Sequence, residues 1–138
     1  MNTANKSKIH TMFGIPTDKL WVYPVFFGAF ARIYGVLMSS IWHDEGYTMW
    51  LLRYNPIQII ERTARDVHPP GYYLIAKPWV MIFGNSAFSI RFLSILFSIG
   101  IIYLIYKIVE KIFDDRSAFW ASMFVALSPL MVRFAQEA

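Results

Sequence analysis

Residues 20–41 read LWVYPVFFGAFARIYGVLMSSI, and this apolar run indicates that the chain folds in a lipid bilayer and not in water. A helix needs about 20 apolar residues to cross the hydrocarbon core of a bilayer. Amphipathic rings prefer the headgroup level, and Trp21, Tyr23 and Trp42 lie near the two ends of the run. The stretch therefore predicts a first transmembrane span.

The composition also indicates a membrane protein. The chain has 138 residues, of which 57% are hydrophobic and 18% aromatic, and its mean hydropathy is +0.42, too apolar for an ordinary soluble domain. It has no cysteine, which excludes a disulfide framework and a thiolate metal site. The net charge of +4 includes no basic run of the kind that binds nucleic acid. We expect membrane lipids as partners, and no nucleic acid.

The order of apolar and polar segments predicts an all-α, polytopic protein with about three transmembrane helices. Residues 1–19 are polar and are expected to form a cytoplasmic tail, and a signal peptide is not expected because no small-residue cleavage pattern follows the apolar run. The predicted spans cover 20–41, 88–109 and 117–132. The third is short, and Ser128-Pro129 is expected to loosen its last turn.

Residues 44–87 are predicted to form an extracytoplasmic loop that carries two interfacial amphipathic helices. Asn55-Pro56 is typical of a helix start, with asparagine as the N-cap and proline at the first helical position. One face of this first helix is apolar, with Ile57, Ile60 and Ala64. Such a stripe suits a helix on the membrane surface or a helix that covers a soluble core, and the neighbouring spans favour the first interpretation.

The second interfacial helix is predicted for residues 72–83, which are apolar but too few to cross a membrane. Two prolines, Pro69 and Pro70, form a rigid corner before this helix, and Lys77-Pro78 interrupts the apolar run near its middle. Because this segment does not cross, three spans return the end of the chain to the compartment of residue 44.

Arg32 lies inside the first predicted span. A charge at the bilayer centre costs about 2.5 to 3.5 kcal/mol on insertion scales, so the side chain is expected to face protein. It is either a cation near the path of a lipid phosphate or one partner of a structural ion pair with an acid on a neighbouring helix.

Two adjacent acids follow the first span, in Trp42-His43-Asp44-Glu45-Gly46-Tyr47. A carboxylate at a membrane boundary is placed to meet a substrate that lies half in lipid and half in water. Alternatively, both acids stabilise the start of the helix that follows, because negative charge is favourable at helix N-termini.

Five motifs in order resemble family 39 glycosyltransferases, the membrane enzymes related to protein O-mannosyltransferases and to the aminoarabinose and galacturonic acid transferases of bacterial lipid A. The motifs are Arg32-Ile33-Tyr34-Gly35, Trp42-His43-Asp44-Glu45, His68-Pro69-Pro70-Gly71-Tyr72-Tyr73, Arg91-Phe92-Leu93-Ser94, and Ser128-Pro129 with Phe134-Ala135-Gln136-Glu137-Ala138. The resemblance covers nearly the whole chain from Leu20 onward.

The resemblance implies the start of an inverting GT-C fold in a multi-pass protein of the cell membrane. It implies transfer of a sugar from a polyprenyl-phosphate donor to a hydroxyl or phosphate of a lipid, glycan or protein acceptor, on the extracytoplasmic side and without a cofactor. Relatives have many more spans, so the chain is expected to be an amino-terminal fragment, inactive by itself. The alternative is a small non-catalytic membrane protein or assembly subunit.

The resemblance also implies roles for individual residues. Asp44 is the candidate general base, Glu45 is the second acid of its motif, and Glu137 matches an acid of the same cavity. His68 stands where aminoarabinose transferases have the lysine of a Lys-Pro-Pro motif, which is thought to meet the lipid phosphate.

Displacing a polyprenyl phosphate requires cations or hydrogen-bond donors near the leaving group. The local candidates for substrate binding are His68, Tyr72, Arg53 and Lys77. No metal is assigned, because adjacent acids and a neighbouring histidine seldom point at one centre and no helical His-x-x-x-His spacing is present.

Overall fold

The computed structural model describes residues 11–12, 15–36, 43–66 and 68–136, and nearly all of them are helical. Two short antiparallel strands, β1 (Thr11–Met12) and β2 (Ile15–Pro16), and a 3₁₀ turn (Thr17–Lys19) come first. The helices that follow are α1 (Val22–Val36), α2 (His43–Leu51), α3 (Pro56–Thr63), α4 (Gly71–Phe83), α5 (Ala87–Ile112), α6 (Asp115–Leu127) and α7 (Pro129–Gln136).

Helix α5 is the central element, and a separate hydrophobic cluster surrounds each of its ends. Near its start, Ile90 and Leu93 pack with buried residues of the segment from α2 to α4. Near its other end, Tyr106 packs with Leu20 and with the first turns of α6. Sixteen residues separate Ile90 from Tyr106, which corresponds to roughly 24 Å along a helix. The segment from α2 to α4 therefore lies far from the start of α1.

Helix α1 runs antiparallel to α5 along most of its length. Leu20, just before α1, packs near Tyr106, whereas Val36 at the end of α1 lines a small apolar cavity together with Phe88 and Phe92 of α5. Many large apolar side chains of α1 point away from the protein, including Phe26 and Phe30. Lipid is the solvent that suits such a surface.

Arg32 is fully buried between α1, α5 and α6. Its Nε donates to Ser98 Oγ at 2.7 Å, and its Nη1 donates to the carbonyl oxygens of Gly28 at 3.0 Å and Ala126 at 2.9 Å. The partners found in the described part of the chain are thus a hydroxyl and two carbonyls, and the acid of the predicted ion pair is not among them. Arg32 holds three helices together.

One described helix, α5, is long and apolar enough to cross a membrane by itself. Helices α6 and α7 pass the same test when taken together, but they meet at an angle of 54°. Ser128-Pro129 therefore does more than loosen a last turn, because α6 ends before it and α7 begins with Pro129. Residues 37–41 of the first predicted span lie outside the described residues, and the number of three spans stays a prediction.

The segment predicted to carry two surface helices contains three, because α2 forms directly at the two acids. Helix α3 begins as predicted, with Asn55 and Gln58 forming a reciprocal capping box. Its buried side is formed by Ile59 and Thr63. The residues of the predicted apolar stripe are exposed (Ile57, Ile60, Ala64). That stripe does not cover the core, and the position of α3 on a membrane surface stays a prediction.

Helix α4 has 13 residues and continues through Pro78 without a break, so Lys77-Pro78 interrupts the apolar run but not the helix. The ring of Pro78 lies on the exposed side of the helix, and the loss of one backbone donor does not end it. Gly84, with a φ of 86°, terminates the helix. Only a residue without Cβ adopts this conformation easily.

Candidate functional site

A cavity of about 320 Å³ lies between α2, α4 and the segment that joins α3 to α4. Its wall is polar and aromatic, with two carboxylates, two imidazoles, three phenols and a hydroxyl. The lining residues are His43, Asp44, Tyr47, Thr48, Asp66, His68, Tyr72 and Tyr73. Three of the predicted site residues, Asp44, His68 and Tyr72, are thus brought together.

The two adjacent acids occupy the first turn of α2 and point in different directions. Successive residues of an α-helix are rotated by about 100°, so one of the pair faces the cavity and the other faces α5. Asp44 is exposed and lines the cavity. Glu45 is 1% exposed and does not line it. The helix-start interpretation is therefore compatible with a functional role for Asp44.

Glu45 forms a bidentate ion pair with Arg91 of α5. Arg91 Nε lies 2.5 Å from Glu45 Oε1, and Arg91 Nη2 lies 2.7 Å from Glu45 Oε2. The two side chains are 6% and 1% exposed. Two parallel charge-assisted bonds fix both position and orientation, so α2, and with it Asp44, is anchored to α5. Arg91 belongs to one of the five sequence motifs, but the motif by itself indicated no role for it.

Asp66 connects two side chains across the cavity. Its Oδ2 accepts a hydrogen bond from Tyr47 Oη at 2.8 Å and lies 3.2 Å from His68 Nδ1. The rings of Tyr47 and His68 lie against each other, with centroids 5.8 Å apart. The hydrogen bond to Asp66, aided by burial, raises the pKa of Tyr47, so the phenol stays a donor. Asp66 was not predicted as a site residue, although its position two residues before His68 indicates that the two side chains can interact.

Two further phenols complete the wall on α4. Tyr72 Oη lies 3.1 Å from Ser94 Oγ of α5, and burial raises the pKa of Tyr72. Burial also raises the pKa of Tyr73, which bonds to Thr48. Both phenols therefore stay protonated at neutral pH and can donate to an anionic oxygen.

Two further predicted residues, Arg53 and Lys77, do not line this cavity. Lys77 Nζ donates to the carbonyl oxygen of Leu52 at 2.6 Å, where it caps the end of α2. Arg53 is exposed and does not line the cavity. Glu137 lies outside the described residues. The substrate-binding roles of Arg53 and Lys77 and the catalytic role of Glu137 stay predictions.

Gln136 shows where the end of α7 lies. Its Nε2 donates to the carbonyl oxygens of Ala31 at 3.3 Å and Arg32 at 3.2 Å, and its amide packs directly on Gly35, where a Cβ atom would collide with it. The end of α7 is therefore next to the end of α1, the helix that leads to α2.

Among the residues that the structure describes, no three His, Cys, Asp or Glu side chains are grouped to hold a metal ion.

The sequence model of the dolichyl-phosphate-mannose-protein mannosyltransferase family matches residues 67–138, slightly more than half of the chain. The matched region includes His68 and Tyr72 and begins after Asp44 and Glu45. No curated protein and no solved structure matches the chain.

Proposed function

Because the chain belongs to the dolichyl-phosphate-mannose-protein mannosyltransferase family, we propose that it transfers a sugar from a polyprenyl-phosphate donor to a hydroxyl or phosphate of a lipid, glycan or protein acceptor. Within that family we place it among the family 39 enzymes, with a GT-C fold in the cell membrane and an extracytoplasmic active face.

The cavity beside α2 is the observation that carries this proposal. It offers a carboxylate, Asp44, together with hydrogen-bond donors on the opposite wall. A glycosyl transfer that displaces a phosphate needs both kinds of group, a base for the acceptor and donors for the leaving group.

Asp44 is proposed as the general base. The acceptor oxygen forms a bond to the anomeric carbon while its proton passes to the Asp44 carboxylate. The bond between the anomeric carbon and the phosphate oxygen breaks, and its electron pair leaves with the polyprenyl phosphate. Attack from the face opposite the phosphate inverts the anomeric configuration.

His68 and Tyr72 are proposed to receive the developing phosphate charge. Both line the cavity that Asp44 faces, and Tyr72 is a neutral donor because burial raises the pKa of its phenol. Glu45 is proposed to act through Arg91, since the buried pair fixes the turn of α2 that carries Asp44.

The arrangement of the helices supports the proposed sidedness. Residues around Leu20 and the segment from α2 to α4 pack at opposite ends of α5, which is the helix long enough to span. With the start of α1 proposed to be cytoplasmic, Asp44 is proposed to be extracytoplasmic. Gln136 beside Gly35 supports a position of the end of α7 at this same end of α1.

Asp44→Asn tests the proposal, because the amide keeps the size of the carboxylate but cannot take a proton. In membranes from cells that express the protein from its own gene, we expect sugar transfer to fall by about 10²- to 10⁴-fold, the contribution typical of a general base. Glu61→Gln is the matched control, since this exposed acid of α3 lies outside the cavity. Transfer by Asp44→Asn at the rate of the control would overturn the assignment.

A further inference from the structure

Two residues fix the position of the His68 imidazole: Asp66 contacts one edge of the ring, and Tyr47 packs against it. Asp66 Oδ2 lies 3.2 Å from Nδ1, and the ring of Tyr47 lies against the imidazole. The His68 side chain is 48% exposed, and His68 lines the cavity.

The pairing with Asp66 determines what the second ring nitrogen offers. An ionised carboxylate only accepts hydrogen bonds, so Nδ1 must carry the hydrogen. Nε2 then presents a lone pair when the imidazole is neutral, and an N–H only when the ring is the imidazolium cation. A neutral His68 held in this way repels a phosphate oxygen, whereas a protonated His68 binds it.

We propose that Asp66 is a positioning residue that makes His68 a proton-dependent phosphate ligand, so that the polyprenyl phosphate is bound more tightly as the pH falls. The inference rests on the proposed function for the identity of the ligand.

Other titratable groups face the same cavity, and one of them competes as an explanation. They are His43, Asp44 and Tyr47 on α2, and Tyr72 and Tyr73 on α4. Aspartate and tyrosine side chains ordinarily change charge outside pH 5 to 8, whereas histidine changes charge within it. His43 is therefore the group that the experiment has to separate from His68.

The test measures the affinity of the complete protein, reconstituted in nanodiscs of neutral phospholipid, for a polyprenyl phosphate between about pH 5.5 and 8.5. A phosphate monoester titrates near pH 6 by itself. His68→Lys keeps a permanent cation at this position, so the pH dependence of its affinity measures the contribution from titration of the phosphate. Relative to this variant, we expect the affinity of the native protein to fall as the pH rises, by about tenfold for each pH unit above the midpoint.

In Asp66→Asn the side-chain amide can donate to Nδ1, so that the neutral imidazole can carry its hydrogen on Nε2 and bind a phosphate oxygen. We expect the affinity of this variant to fall less steeply than that of the native protein as the pH rises. His43→Asn and Glu61→Gln should keep the native midpoint. A native pH dependence in Asp66→Asn or in His68→Lys contradicts the inference, as does loss of the pH dependence in His43→Asn.

Sugar transfer is measured separately on the same preparations. Native protein that binds the lipid phosphate with the expected pH dependence but transfers no sugar refutes the proposed function and leaves the inference intact. Native protein that transfers sugar, with a binding profile that Asp66→Asn does not move, refutes the inference alone.

Discussion

Replacing Arg91 with methionine removes the guanidinium that neutralises Glu45 inside the protein. The two bonds of this pair measure 2.5 and 2.7 Å, and the side chains are 6% and 1% exposed. Breaking a buried pair from one side costs about 3–5 kcal/mol, because a charge is left without compensation. An exposed pair contributes less than about 1 kcal/mol. The burial of Glu45 therefore decides which magnitude to expect.

Thermal unfolding of the protein in nanodiscs measures this cost. We expect the midpoint for Arg91→Met to fall by on the order of 10 °C. The matched control is Lys107→Met on the same helix, whose pair with Glu110 has a distance of 2.8 Å but is 40% and 28% exposed, and it should lose less than about 1 kcal/mol.

A double-mutant cycle identifies the cause of the loss. In Glu45→Gln/Arg91→Met no charge remains to be compensated, so the double variant should recover much of the stability that Arg91→Met loses. If Arg91→Met is no less stable than Lys107→Met, or if the two substitutions are simply additive, then the pair does not anchor α2 and the reasoning is refuted.

Two smaller changes test the packing of α7 and the start of α3. Gly35→Ala places a methyl group where the Gln136 amide lies, so the amide must give up its bonds to the carbonyls of Ala31 and Arg32, and we expect a loss of about 0.5–1.5 kcal/mol. Gly100→Ala, with no atom within 4 Å of the new Cβ, should stabilise α5 by up to about 1 kcal/mol. A change of the same sign for both variants in thermal unfolding would contradict the packing. Asn55→Ala removes the capping box with Gln58 and should cost about 1 kcal/mol, most of which Asn55→Ser restores; equal losses in the two variants would show that the cap does not stabilise α3.

Features set by neighbours in the sequence were predicted well. The run 88–109 was identified as a long apolar helix, and α5 covers Ala87–Ile112. Asn55-Pro56 correctly predicted the start of α3, because the cap bonds form within a few residues. The 13-residue length of α4 also agrees with the prediction that it is a short helix.

Features that depend on residues far apart in the sequence were not predicted. The direction in which Asp44 and Glu45 point follows from the phase of α2, and the choice of Glu45 as the buried acid follows from the position of Arg91, 46 residues later. The bond between Asp66 and Tyr47 likewise requires the fold of α3 to bring residues 19 apart together. Local patterns carry no information about such pairs.

The shared cluster at the start of α5 sets the order in which the cavity is assembled during synthesis. Helices α2, α3 and α4 leave the ribosome before α5, yet their buried residues pack on Ile90 and Leu93, and Glu45 gains its guanidinium partner only with Arg91. Until α5 has been synthesised, the carboxylate of Glu45 lacks the guanidinium of Arg91, and the apolar face of α2 to α4 lacks Ile90 and Leu93. The wall of the cavity can therefore reach its final packing only after a helix that follows it in the sequence has been made.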